Sequence, residues 1–82
     1  MTVHIHVDSM KAAEQLANIC KGYAQELFLR SEKFCVDPKS TLGILAMMYS
    51  ARDEMQLDAG NLPEQDVPGF LQAISDYIVS PE

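Results

Sequence analysis

The hydrophobic period of this chain switches repeatedly between two and about 3.6, so neither an all-helical nor an all-strand architecture accommodates it. Thr2 to Val7 reads Thr-Val-His-Ile-His-Val. Val3, Ile5 and Val7 share one face, the signature of a strand with one buried side. At Asp8-Ser9 the pattern breaks on two good N-cap residues. Met10, Ala13, Leu16, Ala17 and Cys20 then recur at helical spacing for about three turns, and Gly22 stands where a C-terminal cap glycine belongs.

Period two returns after Gln25, where Leu27 and Leu29 alternate with Glu26, Phe28 and Arg30. Ser31-Glu32-Lys33 is a polar turn, and Phe34 to Val36 is a second short strand, so the two pair as an antiparallel hairpin. Asp37-Pro38-Lys39-Ser40 ends that strand, because Pro38 cannot donate to a central ladder. An apolar helix follows over roughly Thr41 to Tyr49. Arg52 to Asp58 alternates again, with Met55 and Leu57 inward. Gly60-Asn61-Leu62-Pro63 is a loop. The last helix starts near Asp66 or Val67, where Pro68 suits the first turn, and Phe70, Leu71, Ile74, Tyr77 and Ile78 form its buried stripe. The order β-α-β-β-α-β-α is a split βαβ plan. It predicts one α+β domain over 1–82, an open-faced sandwich of a four-stranded antiparallel sheet with three helices on one face.

Charge and size bound the function. The 82 residues carry 12 Asp+Glu against 6 Lys+Arg, a net charge of −6. That excess disfavours nucleic-acid binding, which needs clustered cations against phosphate, and adhesion to anionic membranes. The hydrophobic fraction of 48% suits a folded domain. The longest apolar run, Leu42 to Tyr49, is far short of the roughly 20 residues that a spanning helix needs. There is no basic-then-apolar signal pattern at the N-terminus. Cys20 and Cys35 are too few for a disulfide framework. The expectation is a reduced, cytoplasmic protein with no cofactor.

Few residues offer chemistry. His4 and His6 fall on one side of a strand, about 7 Å apart by rise, and could clip a metal if a third ligand joined them; a solvated histidine face is the plainer reading. Cys20 and Cys35 are both expected near the core as small hydrophobes, without Cys-x-x-Cys spacing. Asp8, Asp53, Glu54, Asp58 and Glu64 form no recognisable paired-carboxylate arrangement, and no phosphate-binding loop, Ser/His/Asp set or zinc signature is present. The run Leu42-Gly43-Ile44-Leu45-Ala46-Met47-Met48-Tyr49 is apolar nearly all round. A helix so short in a two-layer domain cannot bury every face. Some of Leu42, Met47 and Met48 are therefore expected at the surface, either as a partner-binding patch or as part of a partly buried helix with no partner.

The element order and one stretch of residues resemble HPr, the histidine-containing phosphocarrier of the bacterial sugar phosphotransferase system. The likeness runs ungapped from about Ala13 to Met47. It takes in Ala13-Glu14-Gln15-Leu16, Lys21-Gly22-Tyr23 and Glu26-Leu27-Phe28-Leu29, and is sharpest at Val36-Asp37-Pro38-Lys39-Ser40-Thr41-Leu42-Gly43-Ile44. The family pattern there is Lys-Ser, an apolar pair, Gly and another apolar residue. The strand and helix that follow match by pattern only.

One departure is large. The family's relay chemistry uses a Gly-x-His-x-Arg-Pro loop between the first strand and first helix. Counting back from Gln15, the histidine position falls on Ser9, the arginine on Lys11 and the proline on Ala12. No imidazole stands there, and Ser9 is a poor substitute, since a phosphoserine ester does not pass its phosphoryl group on as phosphohistidine does. The resemblance thus implies a domain that is not an enzyme and has lost the relay, acting through protein partners such as a kinase or regulator of the HPr type, with the family's docking surface falling on Met10 at the first helix start and on Thr41, Leu42, Met47 and Met48. Ser40 matches the family's regulatory serine, at a helix start where added negative charge is favoured; its plainer role is an N-cap. The alternatives are a phosphocarrier using Ser9 or a displaced histidine, and a small metal binder at His4/His6.

Overall fold

The computed structural model describes residues 1–50 and 55–79. The expected element order holds: β1 (Thr2–Ile5), α1 (Met10–Lys21), β2 (Phe28–Arg30), β3 (Cys35–Val36), α2 (Thr41–Ser50), β4 (Met55–Asp58) and α3 (Val67–Ala73). Short 3-10 turns precede and follow α3, at Glu64–Asp66 and Ser75–Tyr77. Of the strand expected over Arg52 to Asp58, the first three positions lie outside the described residues.

The four strands form one sheet in the order β1-β4-β2-β3, every pairing antiparallel. Alternation sets the faces. Ile5, Leu29, Met55 and Leu57 are buried beneath the helices, whereas Thr2, Arg30, Cys35 and Gln56 are exposed on the opposite face. On that open face Arg30 lies 5.2 Å from the centre of the Phe28 ring and 3.4 Å from the Asp58 carboxylate. Half-exposed ion pairs of this kind add little stability.

The core joins these inward strand residues to Ala13, Leu16, Ala17 and Cys20 of α1, Ile44 and Met47 of α2, and Phe70 and Ile74 beyond them. Tyr23 closes over Phe70 edge-on, with ring centres 5.0 Å apart.

Three expectations are corrected by the fold. Cys35 is exposed, not near the core. The antiparallel register pairs Leu29 with Val36 and Arg30 with Cys35, so Val36 takes the inward side and the thiol the outward one. The last helix stops at Ala73, and its stripe does not run to Ile78 as one helix. Ile74 turns the chain out of helical geometry (φ −100°, ψ 11°), and Leu71 is only half-buried and outside the core. Gly22 caps α1 where expected, in the right-handed region at φ −73°, so its conformation asks for no glycine. Phe34 belongs to the turn, where its N–H meets the Ser31 hydroxyl at 3.3 Å.

The sheet order also fixes helix direction. β1 and β3 run antiparallel to one another, so α1 and α2, which follow them, start at opposite ends of the helix layer and run antiparallel. No helix among the described residues is long and apolar enough to cross a membrane.

Candidate functional site

The start of α2 is built by a single turn. The Asp37 carboxylate accepts the Lys39 N–H at 2.9 Å and the Asp37 carbonyl accepts the Ser40 N–H at 3.0 Å. Pro38 pre-sets the bend and is itself buried. Ser40 then caps the helix: its Oγ accepts the Gly43 N–H at 3.1 Å and its carbonyl accepts the Ile44 N–H at 3.0 Å. Gly43 is needed for proximity. A Cβ there would sit 3.2 Å from the Asp37 carbonyl oxygen and 3.4 Å from the Val36 Cβ. Lys39-Ser40-x-x-Gly43 is thus one physical unit, a capped helix start pressed against its own entry turn.

Ser40 is exposed. The helix it opens carries no charged residue from Thr41 to Ser50. Ile44 and Met47 face the core, while Leu42 is 79% and Tyr49 81% exposed. Thr41, Leu45 and Met48 are half-buried. Met47, expected as a candidate contact, is only 1% exposed and is corrected to a core residue. It stands three positions after Ile44, on the same side of the helix; in a run apolar on all sides the sequence does not say which side that is. Tyr49, absent from the expected contacts, is the most exposed large apolar side chain among the described residues.

The start of α1 is capped in the same way. Ser9 is exposed, in extended conformation, and its Oγ accepts the Ala12 N–H at 3.1 Å. Met10 is 61% exposed, and Lys11 is exposed beside it. These three residues do not join Ser40. Because the helices are antiparallel, the two serines stand at opposite ends of the helix layer. The start of α1 instead shares an end of the layer with the last turn of α2, where Tyr49 is.

Neither histidine stands at the α1 start. Ile5 and Val7 are buried, so His4 and the exposed His6 alternate onto the sheet's open face, away from the helices. Among the described residues no group of three His, Cys, Asp or Glu side chains is placed to hold a metal.

Beneath the Asp37–Ser40 turn lies Cys20, whose thiol pKa is pushed up from 9.0 to about 12, by burial first and then by the negative charge of Asp37, with Lys39 opposing. The exposed Cys35 borders a shallow groove of about 240 Å³ that is also lined by Glu26, Phe28, Asp37 and Lys39. Sequence reading gave no sign of this groove, which depends on how β2 and β3 meet the turn.

No family model, no curated protein and no solved structure matches the chain.

Proposed function

We propose that this chain is a non-catalytic, HPr-like domain that acts through protein contacts, with Ser40 as phosphoacceptor for a kinase and the exterior of α2 as the contact surface. The observation that carries the reading is an exposed serine cap opening an uncharged ten-residue helix that leaves Leu42 and Tyr49 in water. Exposed Leu and Tyr together form the kind of apolar patch that soluble domains keep for partners. The β1-β4-β2-β3 order with helices above it supports the HPr-like architecture.

The chemistry at Ser40 is simple. Its Oγ attacks the terminal phosphorus of ATP, an Oγ–P bond forms, the bond to ADP breaks, and the hydroxyl proton passes to the kinase. The new phosphate oxygens then lie at the first N–H groups of α2, where the helix dipole favours them. At the opposite end of the helix layer from the α1 start, this charge acts on a partner that spans α2, not on Ser9 directly.

Relay of phosphate is disfavoured by residue type and placement. Ser9 is an alcohol, and the histidines lie on the other face of the sheet. Treatment with the bifunctional HPr kinase and ATP, read by intact mass, tests the proposal. One phosphoryl group on the wild type and none on Ser40→Ala is expected. No gain on the wild type, under conditions that modify a genuine HPr, overturns the assignment of Ser40.

A further inference from the structure

The sheet has two edges, and they are protected differently. An exposed strand edge is a template for pairing with another chain unless it is short, charged, interrupted by proline or covered. The β3 edge is blunt by composition: it is two residues long, Glu32 and Lys33 precede it, and Asp37-Pro38 follows. The β1 edge has neither charge nor proline to protect it. From Thr2 to Val7 there is no Lys, Arg, Asp, Glu or Pro.

That edge is instead covered by a short strap. After the 3-10 turn at Ser75–Tyr77 the chain runs antiparallel to β1, with Ile5 opposite Ile78. The His6 N–H donates to the Tyr77 carbonyl at 2.8 Å, and the Val79 N–H donates to the His4 carbonyl at 2.9 Å. The Tyr77 hydroxyl donates to Gln15 Oε1 at 3.1 Å, pinning the strap to α1. Among the described residues the strap is held by two backbone bonds and one side-chain bond, with Tyr77 and Ile78 partly buried against the core, where β4 holds the other side of β1 by a four-residue ladder.

We infer that the 77–79 strap is a detachable edge guard, and that the edge it covers is a self-association site at which a second copy of this chain pairs through β1. The occupant is a second copy because the edge is uncharged: two chains of net charge −6 meet there with no charged side chain from Thr2 to Val7 on either one. Association and strap binding compete for the His4 carbonyl and the His6 N–H.

The test is sedimentation equilibrium on the full chain, with circular dichroism as a check on folding. Val79→Pro removes one strap donor, and Ile78 already has the extended backbone that a following proline requires (φ −73°, ψ 128°). Wild type is expected to be monomeric. Val79→Pro is expected to self-associate about tenfold more tightly, the change that loss of one competing backbone bond produces. Adding His6→Glu, which charges the edge, is expected to restore the monomer. A folded Val79→Pro that associates no more than wild type overturns the inference, as does association that His6→Glu leaves intact. If Val79→Pro does not fold, Tyr77→Phe, which loses only the bond to Gln15, is judged by the same two criteria.

Discussion

The two long helices of this domain share a layer, an N-cap chemistry and nearly a length, yet they are built for different surroundings. α1 buries Ala13, Leu16, Ala17 and Cys20 along one stripe and turns Lys11, Glu14, Gln15 and Asn18 to water. α2 buries only Ile44 and Met47 and turns Leu42 and Tyr49 to water. A helix whose outside is as apolar as its inside is not optimised for solution. That difference is what the proposed contact surface rests on: the exposed Leu42 and Tyr49 lie along α2, from the Ser40 end to the Tyr49 end.

The sharpest way to break this comparison is by truncating side chains on each helix. Leu16→Ala on α1 and Ile44→Ala on α2 both remove fully buried side chains, and each is expected to cost about 2–5 kcal/mol. Leu42→Ala is expected to stay within about 0.5 kcal/mol of wild type. Urea denaturation followed by circular dichroism measures all three. A Leu42→Ala loss as large as that of Ile44→Ala means that Leu42 serves the fold, and the α2 contact surface is lost from the account.

The next effect concerns what α1 buries under the α2 start. The folded chain holds the Cys20 proton up to about pH 12, whereas the unfolded thiol releases it near 9.0. The thiol's contribution is therefore fully present below pH 9 and falls as the pH climbs from 9 towards 12, by about 1.4 kcal/mol per pH unit at most. Cys20→Ala is expected to flatten that part of the stability-pH curve. Thiol labelling of the native protein at pH 8 is expected to modify Cys35 and spare Cys20.

The two caps come next. Ser9→Ala and Ser40→Ala each remove one hydroxyl that accepts a 3.1 Å bond, so both are expected to cost about 1 kcal/mol. Equal losses with only Ser40 phosphorylated would separate capping from function. The smallest effect is at glycine. Gly69 has nothing within 4 Å of its would-be Cβ, so Gly69→Ala is expected to gain about 0.5–1 kcal/mol. Gly43→Ala is expected to gain nothing, because the Asp37 carbonyl 3.2 Å away is held by the Ser40 N–H and cannot yield.

How much of this is legible without coordinates depends on the contrast within each segment. β1 and α1 are readable because polar and apolar residues alternate there with a clear period, and the inward set Ile5, Leu16, Ala17 and Cys20 follows directly. The turn at Asp37-Pro38-Lys39-Ser40 is readable from proline and cap chemistry. α2 offers no contrast, so Met47 could not be assigned inward nor Tyr49 outward until the sheet fixed the helix's rotation. Cys35 sits in a strand of two residues, too short for a period; the register with Leu29 and Arg30 decides its face. The opposed directions of α1 and α2, which part Ser9 from Ser40, follow from strand order and not from any local motif. The strap at 77–79 carries no turn or strand signature, and only its pairing with β1 reveals it.

The central proposal is that this domain works by contact and relays no phosphoryl group through a histidine. Incubation with phosphoenolpyruvate and the first enzyme of the phosphotransferase system tests it most directly, with an ordinary HPr labelled in parallel. The account predicts an acid-labile phosphoryl group on the HPr control and none on this chain; an acid-labile group on His4 or His6 contradicts it.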